Sequence, residues 1–215
     1  MSAARLSIPS KASGEYQKGC GAFKNKKWPD AEAHLHRAIE EYPAYAAAWV
    51  VLGQVLDSEE KRTDAKQACA KAEEVDPHYM APYLCLAEFA VAESDWAEVG
   101  RIAAQALAID PTGNPYAHYY AADAGLHQHQ LAQAEQHAKA AMKLDEWHHI
   151  PELHLLLAKI YEASGSAQGA MVQLREFLKE AANSKDAPEA RNMLAQLQAA
   201  PTSKDTAPAV GQPGK

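Results

Sequence analysis

The feature that most constrains this chain is a group of residues that recurs with a period of 34. Pro43, Pro77 and Pro111 are spaced 34 residues apart, and small and apolar residues precede each of them at similar offsets. A fixed period of this length indicates a repeated supersecondary unit, because each unit can bury its apolar face only against the next one. The sequence therefore predicts an array of repeats.

The clearest unit begins at Trp49 and ends at Pro77. It reads Trp49-x-x-Leu52-Gly53-x-x-Leu56, then Ala65-x-x-x-Cys69 and Ala72, and closes on Asp76-Pro77. This pattern resembles the tetratricopeptide repeat (TPR), with Leu56 in place of the usual Tyr and Cys69 in place of the usual Phe. The resemblance implies an all-α fold, a right-handed superhelical solenoid in which the first helix of each pair lines a concave groove.

The same pattern divides the chain into five helix-turn-helix units. We expect these units at about 12–45, 46–79, 80–113, 115–148 and 151–184, within an array that covers 11–199. An amphipathic helix at 187–198 is expected to cap the last apolar face, which a repeat array leaves bare. Residues 1–10 are interpreted as a leader, and the polar, Pro-rich segment 200–215 as a disordered tail.

Small residues are predicted where the two helices of a unit pass closest. One pair recurs in each unit: Gly19 and Ala31, Gly53 and Ala65, Ala87 and Val99, Ala122 and Ala134, Ala158 and Ala170. Four residues before the first member of each pair, the TPR pattern has Trp. We call this place the Trp position, and from the second unit onward it holds Trp49, Tyr83, His118 and His154.

Net charge and hydropathy limit the classes of partner. The formal net charge is −7 and the pI is about 5.8, which argues against nucleic acid and anionic membranes as partners. There is no apolar run of about 18 residues and no signal-peptide pattern, so we expect no membrane insertion and, as the chain stands, a cytoplasmic location. Leu6-Ser7-Ile8-Pro9 resembles bacterial proteins whose repeats follow an extracytoplasmic domain. That resemblance implies a fragment of a periplasmic or extracytoplasmic protein.

The cysteines and histidines are interpreted as packing or surface residues. Cys20, Cys69 and Cys85 are odd in number and scattered, which indicates neither a disulfide framework nor a C-x-x-C metal site. Ten histidines raise the alternative of a zinc- or nickel-responsive module, but no H-E-x-x-H pattern is present. Nucleotide-binding and serine-hydrolase motifs are also absent from the sequence. We therefore predict no catalysis, no metal and no cofactor.

Candidate binding residues follow from the TPR resemblance, which implies that certain positions of each first helix face a ligand. They are Tyr16, Phe23, Val50, Gln54, Asp57, Leu84, Glu88, Tyr116, Tyr119, Asp123, Leu155 and Lys159. One TPR subgroup grips a C-terminal carboxylate with Lys and Asn of its first unit and basic residues two units on. Here Tyr16, Cys20, Ala81 and Cys85 occupy those places, so we predict no carboxylate clamp.

The predicted function is a protein-interaction scaffold. Tyrosines and apolar residues are typical interface anchors, and Asp57, Glu88 and Asp123 would favour a partner segment with basic as well as apolar residues. Two alternatives stay open at this point. Val50, Leu84 and Leu155 are also suited to packing between helices, and the groove or the last helix could mediate homo-oligomerisation.

Overall fold

The computed structural model of the chain describes residues 8–112 and 114–199. These residues form eleven α-helices and no strand, so the predicted all-α class is confirmed. The predicted tail and most of the predicted leader lie outside the described residues. The chain folds into two compact units, which we call the N-terminal body, ending at Trp147, and the C-terminal body, beginning at His148.

The N-terminal body contains four helix pairs. Its helices are α1 (Ser10–Lys24), α2 (Trp28–Glu41), α3 (Ala46–Ser58), α4 (Arg62–Val75), α5 (Ala81–Ala92), α6 (Trp96–Ile109), α7 (Pro115–His127) and α8 (Leu131–Leu144). Each helix packs on the next through α7 and α8, and the first helices also touch in turn, α1 on α3, α3 on α5 and α5 on α7. The surface that α1, α3, α5 and α7 share is called the first-helix face below.

Close approach of paired helices depends on the predicted small residues. A Cβ atom added to Gly53 would lie 2.5 Å from the Cys69 Sγ and 3.1 Å from the Ala65 carbonyl oxygen. Ala65 is fully buried, as are Ala31, Ala122 and Ala134 at the equivalent places. The helices of these pairs are therefore packed too closely for a larger side chain at these positions.

The turn inside each helix pair contains one residue in the left-handed region of backbone conformation. These residues, with their φ angles, are Lys26 at 58°, Glu60 at 64°, Ser94 at 56°, His129 at 59° and, in the C-terminal body, Gly165 at 78°. The amide group of the next residue then donates a hydrogen bond to the end of the preceding helix. In the second pair, for example, Lys61 N donates to the Leu56 carbonyl oxygen at 2.9 Å. The recurring conformation ends each first helix in the same way.

The Trp position joins successive helix pairs of the N-terminal body by hydrogen bonds to proline carbonyl groups. Trp49 Nε1 donates to the Pro43 oxygen at 2.8 Å, and Tyr83 Oη donates to the Pro77 oxygen at 3.0 Å. His118 Nε2 lies 3.1 Å from the Pro111 oxygen, which can only accept, so this nitrogen carries the proton. Three different side chains thus bind the carbonyl group of the proline that ends the preceding pair.

The C-terminal body is built from α9 (Glu152–Ala163), α10 (Ala167–Glu180) and α11 (Ala187–Ala199). Helix α10 packs on both α9 and α11. One apolar cluster of this body comprises Leu155, Ala158, Leu174, Phe177, Ala190 and Met193. Leu174 and Phe177 are fully buried between the two flanking helices, so α11 covers the apolar side of the α9–α10 pair.

One sequence-based interpretation is wrong. Cys69 on α4 and Cys85 on α5 form a disulfide and are not the separate packing residues that their scattered positions indicate. Their Cα atoms are 6.1 Å apart, a separation that a disulfide spans readily, and both residues are buried. Cys20 keeps a free thiol. The pairing is hidden in the sequence because the two cysteines belong to different repeats, 16 residues apart.

Candidate functional site

A recess of about 330 Å³ opens on the first-helix face of the N-terminal body. Helices α1, α3 and α5 supply most of its wall. Its lining residues are Phe23, Gly53, Gln54, Asp57, Ser58, Arg62, Cys85, Glu88 and Phe89. Four of the predicted binding residues, one from α1, two from α3 and one from α5, are therefore brought together around one hollow.

Two carboxylates give the recess an acidic character. Glu88 is an exposed residue, and partial removal of its carboxyl group from water raises its pKa; the negative charge of Asp57 raises this pKa further, while a hydrogen bond from Tyr120 opposes the shift. The Arg62 Nε lies 3.7 Å from Asp57 Oδ1, but both side chains are at least half exposed, so this pair contributes little. An ionised Glu88 would thus be stabilised by a cation that enters the recess.

Aromatic side chains supply the apolar part of the recess. Phe23 is partly buried, with its ring centroid 5.4 Å from that of Trp28, and Phe89 is 6% exposed. The partly buried Phe23 ring is held in position and still offers apolar area, which is the usual arrangement of an anchor at an interface, while the buried Phe89 lines the recess with only a small exposed part. The recess therefore combines negative charge with adjacent apolar surface.

Helix α7 carries three more of the predicted binding residues of the N-terminal body. Tyr116 is 43% exposed, and the half-buried Tyr119 packs edge-on against Tyr120 with ring centroids 5.6 Å apart. Asp123 Oδ1 lies 3.6 Å from the His127 Nε2 one turn along the same helix. These residues are outside the recess lining and extend the acidic, aromatic character of the first-helix face.

Tyr16 and Leu84 are half-buried on the same face. The Tyr16 ring lies 4.9 Å from that of Tyr45, and its burial raises the pKa of its hydroxyl group, as does a hydrogen bond with Cys20. Tyr16 therefore stays protonated and can offer a hydrogen-bonding hydroxyl group near the first-helix face.

Three predicted binding residues are engaged within the fold. Val50 and Leu155 are each 5% exposed and lie in apolar clusters, Val50 beside Ala72 and Leu155 beside Met193. Lys159 on α9 forms a 2.7 Å ion pair with Glu189 on α11. The packing alternative thus describes the surroundings of Val50 and Leu155, and we leave all three residues out of the proposed binding surface.

Sequence reasoning missed several residues of the recess. Arg62 begins α4, a second helix, and Phe89 lies next to Glu88 on α5, so neither belongs to the positions that the TPR resemblance singles out. The aromatic character of Phe89 and the charge of Arg62 were visible in the sequence. Their convergence on one hollow depends on how α3, α4 and α5 pack, which the repeat pattern does not specify.

Comparison with known proteins supports the fold through structure rather than sequence. No family model matches the chain, and no curated protein matches it. One chain of the APC/C hetero-tetramer Cut9–Hcn1 superposes with a TM-score of 0.74 at 15% identity, over 87% of this chain and 36% of that one. This chain thus spans about a third of the length of that protein.

Two smaller TPR proteins match along most of their own length. TTC0263 from Thermus thermophilus gives a TM-score of 0.63 at 19% identity, over 87% of this chain and 98% of that one. YrrB, described as a TPR protein with an unusual peptide-binding site, gives 0.63 at 15% identity, over 83% and 90%. At these identities the likeness shows the fold alone, and the chain has the TPR fold.

Proposed function

We propose that this chain, which has the TPR fold, is a non-catalytic scaffold that binds a segment of another protein on its first-helix face. The segment carries a Lys or Arg residue flanked by apolar residues. The observation that supports this most is the recess in which Asp57 and Glu88 lie beside Phe23 and Phe89. A cation would relieve the electrostatic cost of ionising Glu88, and the aromatic rings would bury the apolar neighbours.

The α7 residues extend the proposed contact beyond the recess. Tyr116 and Tyr119 are large, amphipathic anchors, and Asp123 adds a third carboxylate. A segment in extended or helical conformation that placed its basic residue in the recess would direct further apolar residues toward α7. Proteins of the same fold include YrrB, with its unusual peptide-binding site, and a chain of the hetero-tetramer Cut9–Hcn1, and these precedents favour a protein ligand.

A peptide selection tests the proposal even though the partner is unidentified. A displayed random-peptide library is selected in parallel on the wild-type chain and on the double variant Asp57→Asn, Glu88→Gln, which keeps the size of both side chains. We expect Lys or Arg next to apolar residues to be enriched on the wild type and not on the variant. Equal enrichment on both proteins, or none on either, would count against the recess as the binding site.

The charge-matched control is a double variant away from the first-helix face. Glu40 on α2 and Glu74 on α4 are exposed on second helices, so Glu40→Gln, Glu74→Gln removes the same charge without touching the recess. Selection on this control should reproduce the wild-type result.

Homo-oligomerisation stays the alternative hypothesis. Sedimentation equilibrium of the purified chain distinguishes it by a concentration-dependent rise in mass.

The disulfide supports a proposal about the compartment. None of the helices in the described part of the chain combines the length and apolar character that crossing a bilayer requires. Disulfides such as Cys69–Cys85 persist mainly in oxidising compartments, which favours an extracytoplasmic location over the cytoplasmic expectation. Alkylation of the protein from its native cells, followed by mass measurement, should label one thiol, that of Cys20. Labelling of all three cysteines would contradict this proposal.

A further inference from the structure

We propose that the C-terminal body contains a binding site for a divalent transition-metal ion such as Zn²⁺, formed by His148, His154 and Glu180. Each of these residues offers one ligand atom, and the three atoms lie within 4.8 Å of one another. Two imidazoles and one carboxylate are a ligand set that proteins use for zinc and for related metals of similar chemistry. The three residues come from the segment before α9, the first turn of α9 and the end of α10.

The distances suit a common ion. Glu180 Oε1 lies 3.5 Å from His148 Nδ1, and Glu180 Oε2 lies 3.8 Å from His154 Nε2. The two imidazole rings are parallel to within 4°, with centroids 6.5 Å apart. Two ligand atoms at about 2.1 Å from a tetrahedral zinc are about 3.4 Å apart, which is close to the two separations from Glu180. The three ligand atoms, which lie within 4.8 Å of one another, would draw together by up to about 1.4 Å to complete the coordination.

The protonation of His154 is set by a residue behind it. His154 Nδ1 lies 2.7 Å from Gln173 Oε1, and because an amide oxygen only accepts, Nδ1 carries the proton. The neutral ring then has a lone pair on Nε2, which is directed toward a carboxylate that also presents lone pairs. Two acceptors that face each other are stabilised by a positive charge between them, which either a proton on Nε2 or a metal ion supplies. A ligand histidine held through its other nitrogen is the usual outer-shell arrangement of metal sites.

The equivalent histidine of the N-terminal body shows what a non-metal environment looks like. His118 also occupies the Trp position, but its Nε2 donates to the Pro111 carbonyl oxygen. His154 instead presents Nε2 to Glu180, and a second imidazole, that of His148, stacks on it. His154 is 8% exposed, so this ligand is held within the fold, while the exposed His148 leaves a route for the ion.

A bound ion would link the segment before α9 to the last residue of α10. His148 lies before α9 in a left-handed backbone conformation with φ of 51°, and Glu180 is the last residue of α10. Holding both residues to His154 would raise the thermal stability of the C-terminal body, since the three ligand atoms are brought together by folding. Three protein ligands also leave a fourth tetrahedral position for water or another small ligand.

The experiment uses the full chain without an affinity tag, because a histidine tag would bind the same ions. Zn²⁺ is titrated by calorimetry, and Co²⁺ is titrated by visible absorption, which reports tetrahedral coordination directly. We expect one ion per chain and an increase in the melting temperature. Absence of saturable binding by the wild-type chain would overturn the proposal.

The variants separate this site from the other histidines. His148→Ala and Glu180→Gln should each weaken binding by at least about tenfold and remove the tetrahedral cobalt spectrum, and Gln173→Ala should weaken it about tenfold through His154. The control His149→Ala changes the neighbouring exposed histidine and should leave the affinity within about twofold of the wild type. His148 is exposed, so its variant should keep wild-type helicity. Equal affinity in His148→Ala and His149→Ala would overturn the proposal.

Discussion

The Trp position has different surroundings in the two bodies of the protein. In the N-terminal body Trp49, Tyr83 and His118 all hydrogen-bond to the carbonyl group of a proline. In the C-terminal body His154 is hydrogen-bonded to Gln173 and faces Glu180 instead. The repeat therefore fixes where this side chain lies but not what it binds. A residue at this position that binds a proline carbonyl group joins two helix pairs. A residue there without that partner, such as His154, is left able to bind a ligand.

The largest expected effect is that of removing Trp49. The indole packs against the core of the N-terminal body and donates to Pro43, so Trp49→Ala should lower the free energy of unfolding by about 3 kcal/mol. Urea unfolding followed by circular dichroism measures this. A loss no larger than that caused by deleting one hydrogen bond would show that the position contributes little more than its proline contact.

The second prediction isolates that hydrogen bond. Tyr83→Phe keeps the buried ring and removes only the hydroxyl group that donates to Pro77, which should cost about 1 kcal/mol in the same unfolding measurement. The matched control is Tyr42→Phe, which changes a tyrosine outside the Trp position. If both variants have the same stability as the wild type, the proline contact does not join the helix pairs energetically.

The third prediction concerns pH and distinguishes His118 from Trp49 and Tyr83. His118 Nε2 carries a proton, so its Nδ1 accepts from His137 Nδ1 across 3.0 Å. Burial lowers the pKa of His137 below its ordinary value of 6.5, and protonation of His118 would lower it further, since two positive rings would then face each other. The unfolded chain therefore binds a proton more readily, and stability should fall as pH drops from about 6.5 toward the lowered pKa.

The measurement is urea unfolding at several pH values on either side of 6.5. His137→Gln removes the titrating group and should flatten the fall in stability in this pH range, while His78→Gln, at an exposed histidine, should not. An identical pH dependence in the wild type and in His137→Gln would show that the His118–His137 pair does not cause the loss of stability at low pH.

The smallest expected effect compares the turns of the two bodies. Glu60 holds a left-handed conformation that a Cβ atom disfavours, whereas the equivalent residue of the C-terminal body is Gly165. Glu60→Gly should raise the free energy of unfolding by about 0.5 kcal/mol, and Gly165→Ala should lower it by about 1 kcal/mol. Opposite signs in the two variants would support equivalence of the turns, and equal signs would contradict it.

The local features of the repeat could be predicted from the sequence, but its surface chemistry could not. The helix pairs and the small residues such as Gly53 and Ala65 follow from a period that each repeat carries within itself. The recess, the disulfide and the histidine cluster instead combine residues from different helices. Arg62 with Glu88, and His148 with Glu180, are 26 and 32 residues apart in sequence, and their meeting depends on tertiary packing.

The most direct test of the proposed function is the dissociation constant of a peptide selected on the wild-type chain, measured by calorimetry at constant salt. We expect Asp57→Asn, Glu88→Gln to weaken binding by at least about tenfold, because a basic side chain loses both of its carboxylate partners. The control Glu40→Gln, Glu74→Gln should stay within about twofold of the wild type, since it lies on second helices. Equal dissociation constants for the wild type and the Asp57, Glu88 variant would contradict the proposal that this recess recognises the partner.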